Sequence, residues 1–238
     1  MAVMASLRLD KLLSELGVAT RSEIKAMAKK GRISVDGSVI KDTSLKVDPD
    51  VNSVFVDGRQ ISYINYEYIM LNKPAGYISA TQDGRQKTVL ELVSDNIRND
   101  LFPAGRLDID TEGLLLLTND GALSHRLLSP KHHVDKTYYV EVDADLPGDA
   151  ASRIADGIYC DEELTALPGK LEIIDNRRCY LTIHEGKFHQ VKRMMKALGA
   201  EVTYLKRLSM GPLALDEGLK CGEYRRLNEE ELKLLKEL

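Results

Sequence analysis

Asp108 and Asp110 lie in Gly105-Arg106-Leu107-Asp108-Ile109-Asp110-Thr111-Glu112-Gly113, beside an arginine and a hydroxyl and between glycines. In an extended segment, residues i and i+2 share a face, so the two carboxylates point the same way. Such a pair suits acid and base work of the kind glycosidases perform. The same spacing also serves a plainer purpose, in which one acid orients a loop or pairs with Arg106. The next residues along the chain give the pair a rigid mount. Leu114-Leu115-Leu116-Leu117 is a fully apolar run bounded by turn formers, and it reads as a strand buried on both faces. A carboxylate at the mouth of such a strand is held in place and partly withdrawn from water.

The elements around that strand must fit in 238 residues, enough for one large domain or a large and a small one. Charged residues make up 29% and apolar residues 43%, the balance of a soluble globular protein. No apolar run approaches the ~20 residues that span a bilayer. The opening Met-Ala-Val-Met-Ala-Ser-Leu-Arg lacks the basic head and apolar stretch of a secretory leader. Cys160, Cys179 and Cys221 are scattered and odd in number, which fits reduced thiols in the cytoplasm better than a disulfide framework. The five histidines show no metal-ligand spacing, so no metal is expected.

The net charge of −4 hides two basic stretches. Residues 8–32 hold seven Lys/Arg against three Asp/Glu, and residues 185–207 hold six against two. Basic patches on an acidic background suit directed contact with a polyanion, although solvated helix faces give the same count.

The first 60 residues read as a self-contained module. Leu9, Leu12, Leu13 and Leu16 recur at helical spacing, and Gly17 stops the helix. Thr20 opens a capping box with Glu23, and Ile24, Met27 and Ala28 carry a second helix to Gly31. Asp36-Gly37 and Asp57-Gly58 are hairpin turns between short β-branched runs. Tyr63, Tyr66 and Tyr68 begin a β-prone stretch that ends in the turn signal Asn72-Lys73-Pro74-Ala75-Gly76. This places a domain boundary near residue 62, giving units 1–62 and 63–238. Residues 79–88 are polar, and serve either an RNA-facing or a plain surface loop. Beyond them, strands and helices interleave without strict alternation, which favours α+β. Asn228 to Leu238 reads as an amphipathic helix.

The first module resembles the S4 RNA-binding domain. The matching segments are Arg8-Leu9-Asp10-Lys11-Leu12-Leu13, then Thr20-Arg21-Ser22, then Gly31-Arg32-Ile33-Ser34-Val35-Asp36-Gly37. The resemblance implies docking on structured RNA through phosphates. Arg8, Lys11, Arg21, Lys25, Lys29 and Arg32 are the expected contacts, while Asp10 and Asp36 are expected to be structural.

The remainder resembles the pseudouridine synthases. Gly105-Arg106-Leu107-Asp108 with Thr111, Gly113 and the leucines looks like their active-site motif. Lys136-Thr137-Tyr138-Tyr139-Val140, Glu185 to Met194 and Leu71 to Gly76 resemble further motifs in register. Gly105 ahead of Arg106, with Lys192 in the third motif, points to the RsuA branch acting on 16S ribosomal RNA. Paralogues acting on 23S RNA share most of these features. The implied fold is α+β, a small two-helix S4 module ahead of a larger domain with a mainly antiparallel mixed sheet flanked by helices and loops.

The resemblance implies conversion of uridine to pseudouridine, which neither adds nor removes atoms and needs no cofactor. Asp108 is then the catalytic carboxylate and Lys192 the cation beside it, which favours its ionised form. Tyr138 lies against the uracil ring, able to assist proton removal at C5. Arg106 and Arg193 are expected at the substrate, Arg106 holding the target nucleotide out of its stack. Asp110, Thr111 and Gly113 are expected to shape the loop. No chemistry is assigned to His125, His132, His133 or His189. The expected partner is ribosomal RNA, bare or in an assembling small subunit, bound by a monomer away from membranes. Two other readings differ in class: an S4-type assembly factor with an inactive second domain, and a glycoside hydrolase using Asp108 and Asp110. The motifs are intact against the first, and the second leaves the basic module unexplained and finds no tryptophan to stack sugars.

Overall fold

A computed structural model describes residues 6–49, 51–61, 65–93 and 97–238. The chain forms two compact units, one of Met1–Glu67 with Val93–Leu101, the other of Tyr68–Leu92 with Phe102–Leu238. Ser62 and Tyr63 fall outside the described residues, as does the opening Met1–Ala5 read for a leader. The segment Val93–Leu101 rejoins the first unit from far along the chain, which no local signal announces. There the Arg98 backbone N–H donates to the buried Glu67 carboxylate at 3.0 Å, and its guanidinium pairs with Asp100 and Glu15.

In the first unit, α1 (Leu9–Glu15) and α2 (Arg21–Lys29) pack Leu9, Leu12, Leu13, Ile24 and Ala28 into one core. Thr20 and Glu23 close the expected capping box at the start of α2. Strands β1 (Ile33–Val35), β2 (Ser38–Val39), β3 (Val54–Val56) and β4 (Arg59–Gln60) form an antiparallel sheet in the order β2-β1-β3-β4. Asp36 and Gly37, both at positive φ, make the β1–β2 turn. Asp36 also accepts bonds from Asn52 and the Ser53 N–H, the structural role expected of it.

The second unit is built on β5 (Tyr68–Lys73), β6 (Phe102–Ala104), β7 (Glu112–Thr118), β8 (Lys136–Val142), β9 (Lys170–Asp175), β10 (Arg178–Ile183), β11 (Val202–Met210), β12 (Leu213–Ala214) and β13 (Tyr224–Arg226). Among the described residues they make one nine-stranded sheet in the order β9-β10-β8-β11-β7-β5-β13, with β12 on β11 and β6 on β7. Only the β11–β7 pair is parallel. The mainly antiparallel mixed sheet matches the expectation. Leu114 to Leu117 in β7 are all fully buried, each worth roughly 1.5–3 kcal/mol of transfer free energy. Helices α3 (Gly121–Leu128), α4 (Ala150–Ala155), α5 (Gln190–Ala197) and α6 (Glu229–Lys236) surround the sheet, α6 capped by Asn228 and Glu231. Among the described residues no helix is long and apolar enough to cross a membrane.

Candidate active site

The Gly105–Gly113 segment runs from β6 into β7, so the acidic loop hangs from a strand whose next four residues are fully buried in the core. Gly113, at φ +99°, lets that strand begin close beside β11. A Cβ there would lie 2.2 Å from the Arg207 carbonyl oxygen, so no side chain fits. The loop borders a cleft of about 1030 Å³, lined by Arg106, Asp108, Asp110, Tyr138, His189 and Lys192 among others.

Two features fix the loop from behind. Lys73, fully buried at the end of β5, donates to the backbone carbonyls of Pro74, Asp108, Ile109 and Thr111 at 2.8–3.4 Å. Burial pushes its ammonium down to about 8, against the pull of Asp110, Glu112 and Asp108. Ser79 receives the Leu107 N–H at 2.9 Å and donates back to the Leu107 carbonyl at 3.0 Å. Residues 79–88 therefore begin on the cleft wall. Sequence reasoning gives Lys73 no role, although a lysine ending a buried apolar strand is a usable signal.

The cation opposite is Lys192. Helix α5 buries Gln190, Val191, Met194 and Met195, which turns Lys192 toward the loop. Its ammonium lies 2.6 and 2.8 Å from the Asp110 carboxylate oxygens and 3.4 Å from Asp108. The expected Asp108–Lys192 pair exists, but Asp110 holds the shorter contacts and does more than shape a turn. Partial burial disfavours charge on Asp110, yet the Lys192 bond and charge outweigh it and hold the carboxyl below its ordinary range.

His189, the residue just ahead of α5, places Nε2 3.7 Å from Asp108. Because it stands ahead of the helix, helical spacing from Lys192 gives no signal for it in the sequence. His189 sits at φ +50°, a left-handed conformation uncommon for a side-chain-bearing residue and found preferentially at functional sites.

Tyr138 and Lys136 lie on the buried face of β8, and Tyr138 pairs in register with Arg207 on β11. All three line the cleft. Lys136 donates to the Val134 carbonyl at 2.7 Å, and burial, with Arg207 nearby, pushes it down to about 8. Arg207 donates from Nε to the Leu114 carbonyl at 2.8 Å, tying β11 to β7. Tyr139, on the opposite face, bonds Glu141 and packs against Tyr180 and Tyr204.

Arg106 is exposed on the cleft and makes no ion pair among the described residues. Arg193 departs from expectation. One step round α5 from Lys192, it pairs with Asp161 on the hairpin of Ile158–Asp161 with Leu164–Ala166, and it lies outside the cleft lining. Its charge is spent on the fold. In the first unit, Arg8 is paired with Asp10, Lys11 with Glu15 at 3.6 Å and Arg32 with Asp57. Arg21, Lys25 and Lys29 are exposed and make no ion pair among the described residues.

Residues 67–197 match the RNA pseudouridylate synthase family, and residues 7–52 match the S4 domain. The chain belongs to the RNA pseudouridylate synthase family. It is 51% identical to an uncharacterized RNA pseudouridine synthase of Bacillus subtilis, YtzG, over 97% of this chain and 99% of that one. It is 44% identical to ribosomal small subunit pseudouridine synthase A of Vibrio cholerae and 40% identical to that of Escherichia coli. Each match covers 95% of this chain and 98% of the relative. A crystal structure of a pseudouridylate synthase, 38% identical, aligns with a TM-score of 0.68 over 97% of this chain and 100% of its own. The synthase therefore carries an S4 domain ahead of its catalytic unit, and the cleft around Asp108 lies in the catalytic one.

Proposed function

We propose that this synthase isomerises a uridine of 16S ribosomal RNA in the cytoplasm, acting as a monomer on RNA of the small subunit. The observation that carries the choice of RNA is the near full-length similarity to relatives named for the ribosomal small subunit. The reading of the site rests on Asp108, Lys192 and Tyr138 converging on one cleft from distant segments.

In the reaction the N1–C1′ bond breaks, the uracil turns, C5 bonds to C1′, and the proton lost from C5 is balanced by one gained at N1. Attack at C1′, attack at C6 and removal of the 2′ proton all need a positioned, ionised carboxylate, and Asp108 fills that part. Lys192 steadies its charge, and the Lys73 clamp holds its backbone. Tyr138 offers its ring to the uracil and its hydroxyl to the C5 proton. Arg106 keeps the flipped nucleotide out of its stack.

The S4 unit supplies capture. Arg21, Lys25 and Lys29 recur every four residues along α2, so their charges form a stripe about 6 Å apart, flanking the buried edge made by Ile24 and Ala28. Such a stripe suits a phosphate backbone and reads little sequence. Incubating the protein with unmodified 16S and 23S transcripts and with small-subunit particles, then mapping pseudouridine, tests the reading. One modified position in 16S is expected; modification confined to 23S overturns the choice of RNA.

A further inference from the structure

Phe188 is 67% exposed, although it is one of only three phenylalanines in the chain. A lone exposed apolar residue needs no explanation, but this one has company. Ile109 and Leu128 line the same cleft and are more than two-fifths exposed, and Leu167 is nearly half exposed. The catalytic cleft thus has an apolar rim, and Phe188 is its most exposed member.

The Phe188 ring is also held in place. It stacks on His189, with ring centroids 3.8 Å apart and planes 20° from parallel, and His189 faces Asp108. The loop beneath is braced from both sides. The Lys187 N–H donates to the Gln190 side chain at 3.0 Å, and Gln190 donates in turn to Glu185 at 3.0 Å. The left-handed backbone at His189 fixes the direction in which the two rings emerge.

We propose that Phe188 is a stacking platform for the nucleobase next to the target uridine. A uridine drawn out of its stack leaves its neighbour with an unstacked face. An aromatic ring fixed at the cleft mouth replaces the lost face and extends the pile base–Phe188–His189 toward Asp108. Aromatic stacking accepts any base, so Phe188 contributes capture and positioning rather than sequence readout. The inference rests on RNA being the substrate, and it holds whichever ribosomal RNA the synthase modifies.

The test pairs Phe188→Leu, which keeps an apolar side chain but removes the ring, with Phe188→Tyr, which keeps the ring. Both are assayed on an RNA carrying the uridine that the wild-type protein modifies, with 2-aminopurine placed in turn at each flanking position. For wild type, binding is expected to quench the fluorophore at one flanking position. Phe188→Leu is expected to abolish the quench and raise KM roughly tenfold or more, while kcat falls less than about threefold. Phe188→Tyr is expected to restore both. The proposal is overturned if Phe188→Leu quenches and binds as wild type does, or if Phe188→Tyr is as impaired as Phe188→Leu. Because the fluorescence arm reads binding on the RNA that is modified, an error in the choice of 16S leaves this result standing. A wild-type quench lost only in Phe188→Leu cannot come from a wrong target.

Discussion

The same residue types do opposite work in the two units. On α2, Arg21, Lys25 and Lys29 are solvated and make no ion pair among the described residues, available to any phosphate backbone. In the catalytic unit most of the cations around the cleft are committed, Arg106 excepted. Lys73 is sunk beneath the acidic loop, Lys136 is bonded to the Val134 carbonyl, Arg207 ties β11 to β7, and Lys192 bridges Asp110 and Asp108. The difference teaches that local charge counts measure two unlike things. The balance over residues 8–32 partly describes a binding surface, whereas that over 185–207 mostly describes internal wiring.

That contrast breaks or sharpens through four variants. Lys192→Met removes the cation 3.4 Å from Asp108, the carboxylate proposed to react, and a misplacement of this kind is expected to cost about 10²-fold in kcat. Single-turnover assays at saturating RNA check it; a loss confined to affinity would place Lys192 with the α2 stripe instead. Lys73→Met leaves four backbone carbonyls without their donor and is expected to cost about 2–3 kcal/mol in denaturant unfolding.

The pH dependence of the Lys73 variant is also fixed in sign. Folded Lys73 releases its proton near 8 and the unfolded lysine near 10.5, so the unfolded chain binds more protons between those values. Wild-type stability therefore gains with rising pH across that window relative to Lys73→Met. Measuring both proteins from pH 7.5 to 10.5 tests it, and parallel curves would contradict a buried, depressed ammonium.

Replacing Arg21, Lys25 and Lys29 together by Gln is expected to weaken RNA binding roughly tenfold near 0.15 M salt and to lower the slope of log K against log salt by about 2–3. An unchanged slope would remove the stripe from the RNA interface. Asp110→Asn has the smallest expected effect. The Lys192-bonded carboxyl contributes stability that is present above the ordinary aspartate range and lost as pH falls through its lowered pKa. Because Asp110 is largely exposed, that contribution stays below about 1 kcal/mol, and the variant should lose less stability than wild type below about pH 4.

Much of this organisation is legible in the sequence because its signals are local. The capping box at Thr20, the Asp-Gly turns and the four leucines of β7 each declare their element within a few residues. Asp108, Tyr138 and Lys192 stand out by motif, and they do share a cleft. The residues that sequence misjudges depend on partners far along the chain. Lys73 meets carbonyls 35 or more residues away, and Asp110 is joined to Lys192 across 82. Arg193 is expected at the substrate because its neighbour is, but α5 turns it toward Asp161, a partner no spacing rule supplies. Arg8 and Arg32, expected at RNA from the S4 resemblance, pair with Asp10 and Asp57 yet stay about half exposed.

Catalysis by this cleft stands or falls on Asp108, and Asp108→Asn tests it most directly. The change keeps the size of the side chain and removes its charge at the cleft. RNA binding measured beside a single-turnover assay of pseudouridine formation should show affinity near that of wild type and a rate lower by about 10³-fold or more. Pseudouridine formed by Asp108→Asn at the wild-type rate would contradict a catalytic role for this carboxylate.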